Sequence, residues 1–254
     1  MTTRKPVVRI ARNGPVLWAR INRPEAGNAC NGAVMAGVDA ALQQSASPDV
    51  KALVLTGTGT SFCAGADLAE GTALLDDQPA LLAYLDKGRQ MVRHLLSAPV
   101  PTIAAVNGAA YGGGFELLQA CDIAVAGASA RIGDRHLKVG QVPGWGSSAM
   151  LPRRIGAARA RRLLLTAETW TASQAQEHGL ISEVVPDAEL ESATQALAEQ
   201  LASLDVAAVR RMLALVRDPG PDSAWNREWE VLVEHMGSQA GASAAATLAR
   251  LRSH

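Results

Sequence analysis

Short apolar runs bounded by turn residues open the chain. Residues 7–10 and Val16–Ile21 read as strands, residues 32–44 as a helix, and residues 51–56 as a buried strand. Leu81, Leu85, Gly88, Val92 and Leu95 step by three and four, which predicts a long amphipathic helix over 79–97, ended by Pro99 and Pro101. Another strand follows over Thr102–Val106. The turn Asn107-Gly108, the cluster Gly112-Gly113-Gly114, a short helix over 116–119 and a strand over 123–126 come next.

After Gly156 the pattern is almost wholly helical, broken only by a strand-like run over 180–185 that ends at Pro186. The alanine-rich run 240–249 is compatible with helix but offers few large apolar groups besides Leu248 and the neighbouring Leu251. No internal repeat or long linker divides the chain. We therefore expect a mixed α/β core over 1–190 and a helical region over 191–254 that serves oligomerisation or covers the core.

Composition narrows the partners. The 254 residues carry 24 Lys+Arg against 24 Asp+Glu, so no net field draws the chain to nucleic acid or an acidic membrane. Aromatic residues make up only 4%, too few for base-stacking platforms. Cys30, Cys63 and Cys121 are widely spaced, which suggests neither a disulfide framework nor a metal site. With no apolar leader and no run long enough to span a bilayer, the reading is cytoplasmic.

Two stretches carry the chemistry. Residues 57–68 are rich in small residues directly after a strand, so backbone can approach a ligand closely, yet they match neither dinucleotide nor nucleoside-triphosphate loop patterns. Residues 107–117 set three consecutive glycines before a short helix, where bare N–H groups favour negative charge. Side by side, the two loops could aim one N–H each at a single carbonyl oxygen and make an oxyanion hole without any side chain.

The segments 22–29, 61–68 and 108–116, followed by Cys121-Asp122-Ile123, Pro143-Gly144, residues 153–156 and Gly179-Leu180-Ile181, resemble the crotonase, or enoyl-CoA hydratase/isomerase, family over roughly residues 10–190. The resemblance implies an α/β fold: a spiral of ββα units with a C-terminal helical trimerisation region. It implies a homotrimer or dimer of trimers and an acyl-CoA thioester as substrate, with no further cofactor and no metal. Ala66 and Gly113 would supply the two oxyanion N–H groups. The loop of Asn22, Arg23 and Ala26, with Ala64, Gly65, Asp67 and Gly112, would hold the CoA portion and thioester, largely through backbone groups.

Glu116 stands where hydratases of the family keep one catalytic glutamate. Their second glutamate falls, without a gap, on His136. An imidazole can donate or accept a proton near neutrality, so His136 is either the replacement proton donor or a structural hydrogen-bonding residue. Asp134 is read as a solvated turn residue, with orientation of His136 as the alternative. Trp145 either shapes the acyl pocket or packs the core, and Cys63 is read as a packing residue. The implied reaction is hydration of a 2-enoyl-CoA to a 3-hydroxyacyl-CoA. Δ3–Δ2 isomerisation by a single base, or acyl-CoA binding without catalysis, are the alternatives.

Overall fold

The structure, a computed structural model, describes residues 6–217, 221–238 and 241. The alanine-rich run 240–249 lies, apart from Gly241, outside the described residues, as do Leu251 and His254.

The elements run β1 (Val8–Asn13), β2 (Val16–Ile21), α1 (Gly32–Ser45), β3 (Ala52–Gly57), β4 (Ser61–Cys63), α2 (Leu68–Ala73) and α3 (Gln78–Leu96). They continue through β5 (Thr102–Val106), β6 (Ala109–Tyr111), α4 (Gly113–Ala120), β7 (Ile123–Gly127), β8 (Arg131–Gly133), α5 (Ser147–Ile155) and α6 (Ala157–Thr166). The chain then forms β9 (Trp170–Thr171), α7 (Ala172–Glu177), β10 (Glu183–Val185), α8 (Leu190–Ala202), α9 (Val206–Val216) and α10 (Asp222–Met236).

A six-stranded sheet has the order β1-β2-β3-β5-β7-β10, and a four-stranded sheet has the order β4-β6-β8-β9. Only β1 in the first and β9 in the second run antiparallel to their neighbours. The units β3–β4–α2–α3 and β5–β6–α4 each give one strand to the large sheet, one short strand to the small sheet, and then helix. This is the spiral of ββα units that the family resemblance implies.

The central strands β3 and β5 of the large sheet are buried on both faces, which is why they read as continuous apolar runs, whereas the edge strand β1 is largely exposed. Leu53, Leu55, Ala104 and Val106 enter one core with α1, α3 and α4, whereas Ala52, Val54, Ile103 and Ala105 enter another with Leu190 and Ala198 of α8. Burying each large side chain is worth about 1.5–3 kcal/mol. An exposed pair such as Arg12–Asp49, at 3.7 Å, adds at most about 1 kcal/mol. Burial therefore holds the strands in place.

Two expectations change. The strand of 180–185 is confined to Glu183–Val185, because Leu180 and Ile181 turn into the core after α7. The stretch after Gly156 also contains β9, whose two residues close the small sheet against β8. Asp122, just before β7, accepts the Thr102 N–H at 2.8 Å and a paired contact from Arg217, whose Nε and Nη2 each lie 2.7 Å from its oxygens. That pair ties the end of α9 to the start of β5.

Candidate active site

The loops after β4 and β6 leave neighbouring parallel strands at the same end, so their backbones run side by side. Two asparagines fix the approach. Asn28 donates to Thr58 O at 2.8 Å and Ser61 O at 2.6 Å, and Asn107 donates to Gly59 O at 2.9 Å and Ser61 O at 3.1 Å. Gly65 (φ +108°) and Gly112 (φ +51°) take conformations that favour glycine, and a Cβ on Gly65 would stand 3.0 Å from Gly113 N. Among the described residues, neither the Ala66 nor the Gly113 N–H has a protein acceptor. Gly113 opens α4, where an N–H has no partner within the helix.

Glu116 lies in the first turn of α4 and is buried. Its Oε1 accepts the Trp145 N–H at 2.8 Å and the Ser147 N–H at 3.1 Å, which leaves Oε2 for the cavity. The Trp145 indole is buried between two glycines: a Cβ on Gly88 or on Gly113 would come within 2.1 Å of it. Its Nε1–H donates to Leu85 O at 2.9 Å. Trp145 thus packs the core and walls the cavity at once.

His136 follows β8 and faces the same cavity. Its Nδ1 is 2.8 Å from Asp134 Oδ1, and Asp134 Oδ2 accepts the Ser147 hydroxyl at 2.6 Å. Asp134 is only 2% exposed, so the solvated-turn reading is corrected: just after β8 its carboxylate is held inside by Ser147 and orients the imidazole. The free Nε2 stands 3.7 Å from where a Cβ on Gly112 would lie.

Burial pushes the Glu116 carboxyl up to about 8, with Glu228 and Asp134 adding to the rise and His136 opposing it. Burial disfavours the His136 imidazolium, but Asp134 above all, with Glu116 and Glu228, outweighs it and raises His136 to about 9. Burial also opposes ionisation of Asp134, yet His136 and the Ser147 hydroxyl hold its carboxyl below the usual range. The site thus sets a buried acid with a raised pKa beside an imidazole that keeps its proton past neutrality.

The profile of the enoyl-CoA hydratase/isomerase family matches residues 11–225. The chain belongs to this family. A probable enoyl-CoA hydratase of Rhizobium meliloti is 40% identical over 201 residues, covering 78% of this chain and 76% of the relative. A short-chain-enoyl-CoA hydratase of Clostridium acetobutylicum is 35% identical over 203 residues, with 79% and 77% covered. Among solved structures, a carnitinyl-CoA hydratase of Mycobacterium avium superposes with a TM-score of 0.84 at 32% identity, covering 97% of each chain. An enoyl-CoA hydratase of Bacillus anthracis gives 0.81 at 29%, with 92% of each covered. The fold is that of the crotonases.

In this family member a cavity of about 280 Å³ collects Ala64, Gly65, Ala66, Asp67, Gly112, Gly113, Glu116, His136 and Trp145 from the sequence-predicted site. Asn22, Arg23 and Ala26 do not line it. Their loop instead lies against the Ala64 segment, where Ala64 N donates to Gly27 O at 2.9 Å. Arg23 is engaged within the protein, reaching Asp67 at 2.7 Å and Ala29 O at 2.7 Å, and Asp67 also caps α2. These two side chains shape the loops.

Sequence reasoning missed Glu228. It accepts the Gly146 N–H at 2.5 Å and the Ser148 N–H at 2.7 Å, gripping the loop that carries Trp145. Burial raises its pKa against those bonds. The trace it left in the sequence is a glutamate between Trp225 and Leu232 on the buried stripe of α10.

Proposed function

We propose that the protein adds water to a 2-enoyl-CoA thioester. The observation that carries this reading is that a carboxyl, an imidazole and two N–H groups without protein acceptors share one cavity. Water attacks Cβ as Glu116 takes its proton, and negative charge moves to the thioester oxygen between Ala66 N–H and Gly113 N–H. The His136 imidazolium then protonates Cα through Nε2, with Asp134 holding Nδ1. The proton on Glu116 returns to His136 by way of solvent, which restores the starting state. The thioester itself delocalises the charge, so the reaction needs no further cofactor. A second reading, Δ3–Δ2 isomerisation, is favoured by the lack of a second carboxylate at residue 136.

The test is a panel of acyl-CoA thioesters assayed for loss of enoyl absorbance, double-bond migration and CoA release. Hydration with Glu116 as base and His136 as acid requires an ionised carboxyl and a protonated ring together. As pH rises, kcat/KM should climb as Glu116 ionises near 8 and fall as His136 deprotonates near 9, giving a narrow optimum between them. An optimum at or below neutral pH would contradict these assignments.

For assembly we propose a trimer or a dimer of trimers, in keeping with the family resemblance. Support comes from α9, which buries no residue and leaves Met212, Leu215 and Val216 at 56%, 79% and 63% exposure. Light scattering at micromolar protein should give three or six times the chain mass, and a monomeric mass would refute assembly. Among the described residues, no helix is long and apolar enough to cross a membrane. The sparse, unpatterned cysteines support a cytoplasmic setting.

A further inference from the structure

Arg135 stands between Asp134 and His136 in a left-handed conformation (φ 60°, ψ 3°), uncommon for a side chain of this size. Its guanidinium carbon lies 4.4 Å over the Tyr111 ring, and the residue is half-buried in the wall of the catalytic cavity. Among the described residues it has no ion pair.

The cavity carboxyls have partners other than Arg135. Asp67 is held by Arg23 at 2.7 Å, Asp134 by His136 at 2.8 Å, and Glu116 by the N–H groups of Trp145 and Ser147. Lys138 adds another cation to the same wall, while Leu75, Leu81, Leu85, Val142, Leu232 and Met236 make much of the rest apolar. A half-buried guanidinium on a largely apolar wall without a counter-charge is a ready partner for an anionic ligand.

The small sheet says which part of a ligand meets this cation. The three parallel strands run in the order β4, β6, β8. Ala64 and Ala66 follow β4, Gly113 follows β6, and Arg135 follows β8. On our reading, the thioester oxygen lies between the β4 and β6 loops and CoA on the β4 side. The acyl chain then runs past β6 toward Arg135.

We infer that Arg135 selects acyl groups bearing a carboxylate at the end remote from the thioester, so that the substrate is the CoA monothioester of an unsaturated dicarboxylic acid. This rests on the reading that the cavity takes CoA thioesters. The guanidinium would pair with the carboxylate by charge-assisted hydrogen bonds while still stacked on Tyr111.

Calorimetry with saturated thioesters tests this without turnover, using glutaryl-CoA, its methyl ester, pentanoyl-CoA and free CoA as probes. The full chain should bind glutaryl-CoA at least about tenfold more tightly than the ester or pentanoyl-CoA. That preference should collapse in Arg135→Gln and largely persist in Arg135→Lys. Equal affinities in the parent protein overturn the inference and leave the CoA reading standing. A uniform loss in Arg135→Gln across all probes, free CoA included, also overturns it, because the guanidinium then holds a CoA phosphate. No binding of any acyl-CoA overturns both.

Discussion

Glu116→Gln is expected to lower kcat on the best enoyl-CoA by about 10²–10⁴-fold, the usual cost of losing a general base, with KM nearly unchanged. An amide oxygen can keep accepting the Trp145 and Ser147 N–H groups that Oε1 holds at 2.8 and 3.1 Å, so the loop stays in place. What is lost is the second oxygen, which faces the cavity and takes the proton. Stability gives an independent readout. The folded-state pKa is about 8 against an ordinary 4.5, so the folded protein binds this proton more tightly than the unfolded chain. The stabilisation contributed by this group is therefore full below about pH 4.5 and is lost as pH rises through about 8. Glutamine does not titrate, so the variant's Tm should gain on the parent's from about pH 5 to about pH 8. A variant that keeps turnover within tenfold of the parent would put the base elsewhere.

The parts of this site legible in the sequence are those that local chemistry specifies. Gly112 to Gly114 mark a turn and two close approaches, and a Cβ on Gly114 would lie 2.0 Å from Cys63 O, so the glycine cluster announces where the loops touch. The long elements were legible too, because α3 keeps its period over 19 residues and β3 is apolar on both faces. Strands β4, β6, β8 and β9 have three residues or fewer, too short for any alternation to register, and the large sheet and the loop contacts align them. Asp134 carries the sequence signature of a turn, and its burial comes from tertiary packing against Ser147, thirteen residues away. Glu228 reaches the site from 82 residues beyond Gly146, a contact that only the docking of α10 creates. In each miss the deciding partner lies far along the chain or the element is too short to repeat its pattern.

The departure at residue 136 gives the other large effect. If His136 is the proton donor to Cα, His136→Ala should lower kcat by about 10²–10⁴-fold with little change in KM. His136→Gln should do no better, since an amide can hydrogen-bond but cannot pass on the proton. Asp134 supplies a control that acts through the ring. Its carboxylate, 2.8 Å from Nδ1, is the main cause that raises His136 to about 9 against burial, so Asp134→Asn should move the alkaline limb of the pH profile to lower pH. A purely structural role for Asp134 would reduce activity at every pH and leave that limb in place. Hydration by the proposed route uses both groups, because the proton taken from water and the proton given to Cα sit on different residues. Isomerisation needs one group that carries a single proton between two carbons. Near-parental turnover in His136→Ala, with activity lost in Glu116→Gln, would therefore exclude the two-residue mechanism and leave Glu116 as the sole base, and the product, a 3-hydroxyacyl-CoA or a shifted double bond, then tells hydration from isomerisation.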